Sequence, residues 1–198
     1  MIFALPGMGA DHTMYGPAWH GLPDSRFLDW PTHNGERTIA AIAARVIEEA
    51  EITDGAMVIG SSLGGIVACE IARLRQLRQL VLVGGAARKE EISPLLRLLH
   101  PLAPLAPIEF IQRAASKIPG EVTGMFNQAQ ASFIRAMSLA IFEWEGLDDA
   151  RAKPLRIHGR HDHVIPLPPA VDLVLDGGHL IAMTHPQPCV AFILANGP

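Results

Sequence analysis

Cysteine is scarce in this chain: only Cys69 and Cys189 occur in 198 residues, each inside an apolar stretch of helical spacing. That excludes a disulfide framework and fits a reducing cytoplasm. Basic residues do not dominate either. With 16 Lys+Arg against 20 Asp+Glu the net charge is −4, so no electrostatic case exists for nucleic acid or an acidic membrane surface as partner. No run approaches the ~18 apolar residues that a membrane span needs. The first residues carry no basic stretch ahead of a long apolar one, so no secretory signal is expected and the cytoplasm is the expected compartment. Internal repeats are absent. What remains is 49% apolar and 18% charged residues, a globular balance. The length suits one domain, 1–198, with a sizeable core.

Short apolar runs alternate with helical patterns. Met1–Leu5, Arg26–Trp30, Ala56–Gly60 and Leu80–Gly85 read as strands. Thr38 is placed to cap a helix whose apolar positions 39, 42, 43, 46 and 47 share one face. A second helix is expected from Ser62 to about Leu77, with Arg73, Arg75 and Arg78 near its carboxyl end, where cations are favourable. Near-continuous apolar strands separated by helices predict a parallel sheet covered on both faces. Residues 86–150 break the pattern. They hold an apolar linker punctuated by Pro101, Pro104 and Pro107, and helical stretches at Glu91–His100, Ile108–Lys117 and Phe126–Trp144. Strands resume at Pro154–Gly159 and Val171–Leu175, and a last helix is expected over Gln187–Ala195.

The most informative stretch is Met57-Val58-Ile59-Gly60-Ser61-Ser62-Leu63-Gly64-Gly65. A buried run ends in G-x-S-x-G, and a helix of small residues follows. Glycines two positions either side of Ser62 permit a sharp strand-to-helix turn that lifts its hydroxyl clear of the sheet, at a helix amino terminus.

G-x-S-x-G-G in this setting resembles the nucleophile elbow of the α/β-hydrolase family. The resemblance extends over nearly the whole chain. The strand ending His158-Gly159, then Asp162 and Pro166, matches the family's acid loop. Gly177-Gly178-His179 after a strand matches its histidine loop. The order Ser62, Asp162, His179 is the family's order of nucleophile, acid and base. The loop Pro6-Gly7-Met8 stands where the family supplies an oxyanion N–H, which implies the backbone amides of Met8 and Leu63 as the two donors. The resemblance therefore implies a three-layer α/β/α sandwich. Counting the apolar runs departs from the family's pattern, giving a mostly parallel sheet of about six strands without the usual first two, and 86–150 would form a helical lid. It implies a serine esterase acting on a small or medium, largely apolar acyl substrate, ester or thioester, without metal or organic cofactor. Leu95, Leu98, Phe110, Met125, Phe126, Phe133 and Met137 are candidates for the pocket wall, although an apolar stripe usually packs inward. Asp162 and His179 are only seventeen residues apart, so the intervening connection is expected as one helical turn or an irregular loop.

Other readings compete. Gly7-x-Gly9 with Asp29 downstream suggests a dinucleotide fingerprint, but His12 replaces the third glycine and Pro17 interrupts the helix that should follow. His158, His161, Asp162 and His163 suggest a metal-assisted hydrolase, but Arg160 falls where a second histidine ligand belongs. Asp148, Asp149, Asp172 and Asp176 are rival acids, Asp176 being better suited to shaping its turn. A non-catalytic binding protein of the same fold, an acyltransferase or a C–C hydrolase with the same triad also remain open.

Overall fold

The computed structural model describes residues 1–94, 96 and 121–197. Six strands form one sheet, all parallel: β1 (Ile2–Leu5), β2 (Ser25–Phe27), β3 (Met57–Ser61), β4 (Gln79–Val83), β5 (Leu155–Gly159) and β6 (Leu173–Leu175). Their spatial order is β2-β1-β3-β4-β5-β6. Alternate residues feed opposite faces, as the two-residue period requires. Phe3, Leu5, Val58, Leu80 and Leu82 enter one core, and Ile2, Ala4, Ile59, Val81 and Val83 the other. The first core is covered by helices α1 (Ile39–Ala50), α2 (Leu63–Leu74) and α4 (Ala131–Glu143). The second is covered by two 3-10 turns, His12–Met14 and Pro17–Gly21, with α5 (Ile181–Thr184) and α6 (Pro186–Asn196). Helix α3 (Glu121–Gln128) precedes α4. No described helix is long and apolar enough to cross a membrane.

The strand order reverses at β1. From there the chain first adds β2 on one side and then β3 on the other, so the carboxyl ends of β1 and β3 diverge into loops on a crevice. Open parallel sheets bind ligands at such a switch point. Pro6-Gly7-Met8 leaves β1 there, and Ser62 leaves β3.

Helix α1 forms as its pattern predicts. Thr38 Oγ1 accepts the Ala41 amide at 3.1 Å, and Ile39, Ile42, Ala43, Val46 and Ile47 are buried. Helix α2 stops at Leu74, three residues short of expectation. Arg75 turns extended, its Nε donates to Ile52 O, and the Gln76 amide donates to Asp54 Oδ1, which draws the chain into β4. Strand β2 is also shorter than expected. After Leu28 the side chains of Asp29 and Trp30 bond the loop that follows β1. Strand β6 begins only at Leu173, because the Asp172 carboxylate accepts the Arg156 amide.

In the segment expected as a lid, the helix placed over Phe126–Trp144 is two helices. The break falls at Gln130, whose backbone is extended and whose Oε1 accepts the His33 amide at 3.0 Å. Glu91 belongs to a 3-10 turn rather than to a helix start, and the Ser93 amide donates to Val164 O. The rest of Glu91–His100 is largely outside the described residues, and Ile108–Lys117 lies wholly outside them. Helix α4 is fastened to the body. Phe133 packs on Trp30 with ring centroids 5.1 Å apart, and Trp144 Nε1 donates to the buried Glu70 at 3.2 Å. Between Asp162 and His179 the connection is irregular, with β6 and no helix.

Candidate active site

Ser62 follows directly on β3 with φ 52° and ψ −118°, a conformation rare for a side-chain-bearing residue. Such strain costs about 1–3 kcal/mol and persists only where the surroundings enforce it. Here they do. A Cβ on Gly60 would lie 2.2 Å from Gly64 O, and one on Gly64 would lie 2.4 Å from Leu5 O and 2.5 Å from Pro6 O. The elbow is thus wedged against its own strand and against the end of β1. Only glycine fits at either flank.

Residue 179 reaches Ser62 through a second pair of close approaches. A Cβ on Gly159 would lie 2.3 Å from Gly178 O and 2.6 Å from Gly177 O, so the histidine loop lies directly over the end of β5. The His161 amide donates to Gly177 O at 2.9 Å and ties that loop to the acid loop. The outcome is a continuous chain of hydrogen bonds. His179 Nε2 is 2.9 Å from Ser62 Oγ, and His179 Nδ1 is 2.8 Å from Asp162 Oδ2.

Asp162 is 4% exposed, and its other oxygen accepts the amides of Val164 at 2.8 Å and Ile165 at 2.9 Å. Burial acts to raise its pKa, but hydrogen bonds from His158, His179 and the Ile165 amide outweigh it and hold the carboxyl well below the usual carboxylate range. An ionised carboxylate only accepts, so the proton between the two residues sits on His179 Nδ1. Nε2 of a neutral His179 is then the bare acceptor that faces the Ser62 hydroxyl.

The loop after β1 is held from three sides. Tyr15 Oη donates to Leu5 O, the Gly7 amide approaches Met14 Sδ at 3.3 Å, and Trp30 Nε1 donates to Gly7 O at 3.0 Å. Gly7 O also accepts the Ala10 amide. In a trans peptide the next N–H points opposite to the carbonyl, so fixing Gly7 O fixes the Met8 amide. A Cβ on Gly7 would lie 3.6 Å from Ser62 Cβ, which puts this loop against the serine. Leu63 is the first residue of α2. Among the described residues, neither the Met8 nor the Leu63 amide has a hydrogen-bond acceptor.

The competing residues are engaged elsewhere. Asp176 pairs with His161 at 2.9 Å on the surface, Asp149 pairs with Arg88, and Asp148 accepts the Ala150 amide. Of the four residues of the metal reading, His161 and His163 are exposed, while His158 Nε2 lies 2.8 Å from Ile165 O. They do not converge. Among the described residues the group of ligand-type atoms that does converge is Asp11, His12 and Asp29. There Asp29 Oδ1 accepts both the amide and Nδ1 of His12. The same pairing occupies the acid of the dinucleotide reading, and β1 leads into 3-10 turns instead of a phosphate-binding helix. Of the pocket-wall candidates, Phe133 and Met137 are buried in the core and Met125 is buried in the second cluster. Phe126 sits over Gly9, where a Cβ would lie 2.7 Å from its ring. Leu95, Leu98 and Phe110 are outside the described residues. Tyr15 and Trp30 were missed as supports, because no local pattern marks an aromatic whose partner is a distant carbonyl.

The profile of the "Alpha/beta hydrolase family" matches residues 2–192. No curated protein sequence matches the chain. Among solved structures it is similar to a thermophilic esterase from Thermogutta terrifontis, with 21% identity over 98% of this chain and 88% of that one and a TM-score of 0.72. The enol-lactonase from Burkholderia xenovorans LB400 shares 16% identity over 98% and 90%, TM-score 0.73. The type II thioesterase BorB from the borrelidin biosynthetic cluster shares 17% over 99% and 90%, TM-score 0.68. At these identities the structures speak for the fold. The elbow, the all-parallel sheet and the profile covering nearly the full length together lead to one conclusion: the chain belongs to the alpha/beta hydrolase family.

Proposed function

We propose that this protein is a serine hydrolase that cleaves a carboxylic ester or thioester of a small or medium, largely apolar acyl substrate through an acyl-enzyme. The observation that carries the reading is the relay from Asp162 through His179 to Ser62, at 2.8 and 2.9 Å. A serine hydroxyl is a weak nucleophile and needs a base as it attacks. His179 Nε2 takes the Ser62 proton while Oγ bonds the carbonyl carbon. Asp162 keeps the proton on Nδ1 and stabilises the imidazolium that forms. The amides of Leu63 and Met8 receive the tetrahedral oxyanion, a contribution of roughly 3 kcal/mol for one good donor. The imidazolium then protonates the leaving oxygen or sulfur. Water, deprotonated by the same histidine, releases the acid and restores Ser62. Side chains, two amides and water suffice for every step.

The activities named for the structural neighbours, esterase, thioesterase and enol-lactonase, agree with attack on an activated acyl carbon. An apolar acyl group is supported by Leu180, adjacent to His179 and 41% exposed, and by Val164, two residues past Asp162 and 38% exposed. Residues 86–150 are proposed to cover the site as a lid within a single domain.

The test is intact-mass spectrometry after fluorophosphonate treatment of wild type and Ser62→Ala. One adduct on wild type and none on the variant is expected, with kcat for p-nitrophenyl butyrate falling ~10⁴-fold or more in the variant. Near-wild-type turnover by Ser62→Ala would overturn the mechanism.

A further inference from the structure

His158 has no part in the mechanism above, yet it is 1% exposed and lies directly behind the acid. It is the fourth residue of β5, and its Nε2 lies 2.8 Å from Ile165 O and 3.4 Å from Asp162 Oδ2. A carbonyl oxygen can only accept, so Nε2 must carry a proton. That single N–H faces two acceptors at the two ends of the turn Asp162–Ile165. The turn is closed from inside as well, since Asp162 Oδ1 accepts the Val164 and Ile165 amides. The ring therefore serves as a template around which the acid loop is folded.

The lone pairs of Asp162 account for the arrangement. A carboxylate offers about four acceptor positions. Two, on Oδ1, take backbone amides. On Oδ2 one takes His179 Nδ1, and His158 Nε2 approaches the other. Without the His158 donor, a carboxylate closed off from water would have an unfilled position on the oxygen that faces the base, and that oxygen would be held by His179 alone. Among the causes that lower the Asp162 pKa, the hydrogen bond from His158 stands ahead of the one from His179.

The geometry points to His158 as a positioning residue: its Nε2, bonded to Ile165 O at 2.8 Å and 3.4 Å from Asp162 Oδ2, fixes the direction in which the acid presents Oδ2 to His179. The inference rests on the proposed Ser62–His179–Asp162 reading. It assigns His158 a role unlike the metal-ligand role that its neighbourhood in sequence suggests.

The experiment compares His158→Gln, His158→Asn and His158→Leu. A glutamine can place an N–H where Nε2 lies. An asparagine reaches only the Nδ1 position, and leucine has no donor. Two readouts are used, kcat and KM for p-nitrophenyl butyrate and the downfield proton NMR resonance of His179 Nδ1–H. His158→Asn and His158→Leu should lose about 10- to 100-fold in kcat, as expected for one lost hydrogen bond to a charged group, with KM little changed. His158→Gln should recover most of that loss. The downfield resonance should persist in His158→Gln and move upfield or vanish in the other two. If His158→Leu does not fold, the contrast between glutamine and asparagine decides alone. Equal activity of folded His158→Gln and His158→Asn, or an unmoved resonance in His158→Asn, overturns the proposal. The resonance also separates this inference from the functional reading. If Ser62→Ala left hydrolysis intact, the function would fall, while the NMR comparison would still report whether His158 orients Asp162.

Discussion

Replacing Asp162 by asparagine exposes the logic of the site, because its consequences follow from which atoms donate and which accept. The amides of Val164 and Ile165 lie 2.8 and 2.9 Å from Oδ1 and need an acceptor, so the asparagine turns its carbonyl oxygen toward them. Its NH₂ then occupies the Oδ2 position, 2.8 Å from His179 Nδ1 and 3.4 Å from His158 Nε2. His158 cannot adapt, since Ile165 O holds its proton in place. His179 can adapt only by moving its own proton to Nε2. That leaves an N–H pointing at Ser62 Oγ where a base is required. A wrong tautomer of this kind costs ~10⁴ in kcat, about 5.5 kcal/mol on the barrier. The turn survives because both amides keep an acceptor, and the donor–donor contact at His158 costs about 1–3 kcal/mol of stability. The measurements are steady-state kcat for p-nitrophenyl butyrate and a thermal melt on the same preparation. Because base and nucleophile act as a unit, Ser62→Ala combined with Asp162→Asn should be no slower than the slower single variant. A folded Asp162→Asn protein with kcat within about tenfold of wild type would refute the tautomer argument.

Two further outcomes are expected. Gly64→Ala drives a Cβ to 2.4 Å from Leu5 O and 2.5 Å from Pro6 O, both backbone atoms, so the elbow cannot close without moving β1. The cost should exceed about 4 kcal/mol. It should be seen as loss of soluble folded protein by circular dichroism, and a wild-type melting temperature would contradict it. Acid should destabilise the fold in a definite window. Asp162 is held below the ordinary carboxylate range, and Glu36, despite partial burial, is lowered to about 2 by its hydrogen bond from Arg45 and by the Asn34 amide. Below the unfolded values of about 3.9 and 4.3, the unfolded chain binds protons that the folded one does not. The stabilisation is therefore complete above about pH 4.5 and is lost as pH falls through that range. Urea midpoints from pH 7 to pH 3 should decline at the acid end, less steeply in Asp162→Asn, and a flat profile would count against both assignments.

Much of this protein could be read along the chain. The Thr38 cap, the face of α1 and the five buried residues of β3 follow from spacing alone, because each rests on neighbours within a few positions. The elbow was legible for the same reason. Its demand for glycine at 60 and 64 is a local steric fact, and the sequence meets it. Chain order was enough to nominate Ser62, Asp162 and His179. Element ends were less legible. The stops at Leu74, Phe27 and Gln128 come from side chains of Arg75, Asp29, Trp30 and Gln130 captured by partners far along the chain.

By itself, the sequence determined the class of fold and the sharp turn that carries Ser62, since these are written in hydrophobic period and glycine placement, and its resemblance to the family nominated Asp162 and His179. Only the tertiary structure decided the rest. It set the strand reversal at β1 that brings residues 8 and 62 to one crevice, and the tautomer of His179. It decided which carboxylate faces that ring, and it placed His158 Nε2 between Ile165 O and Asp162 Oδ2. Those depend on hydrogen-bond directions between loops that the sheet brings together, from the seven residues that separate His158 and Ile165 to the 117 that separate Ser62 and His179. Direction belongs to atoms in space, so no pattern along one chain could state it.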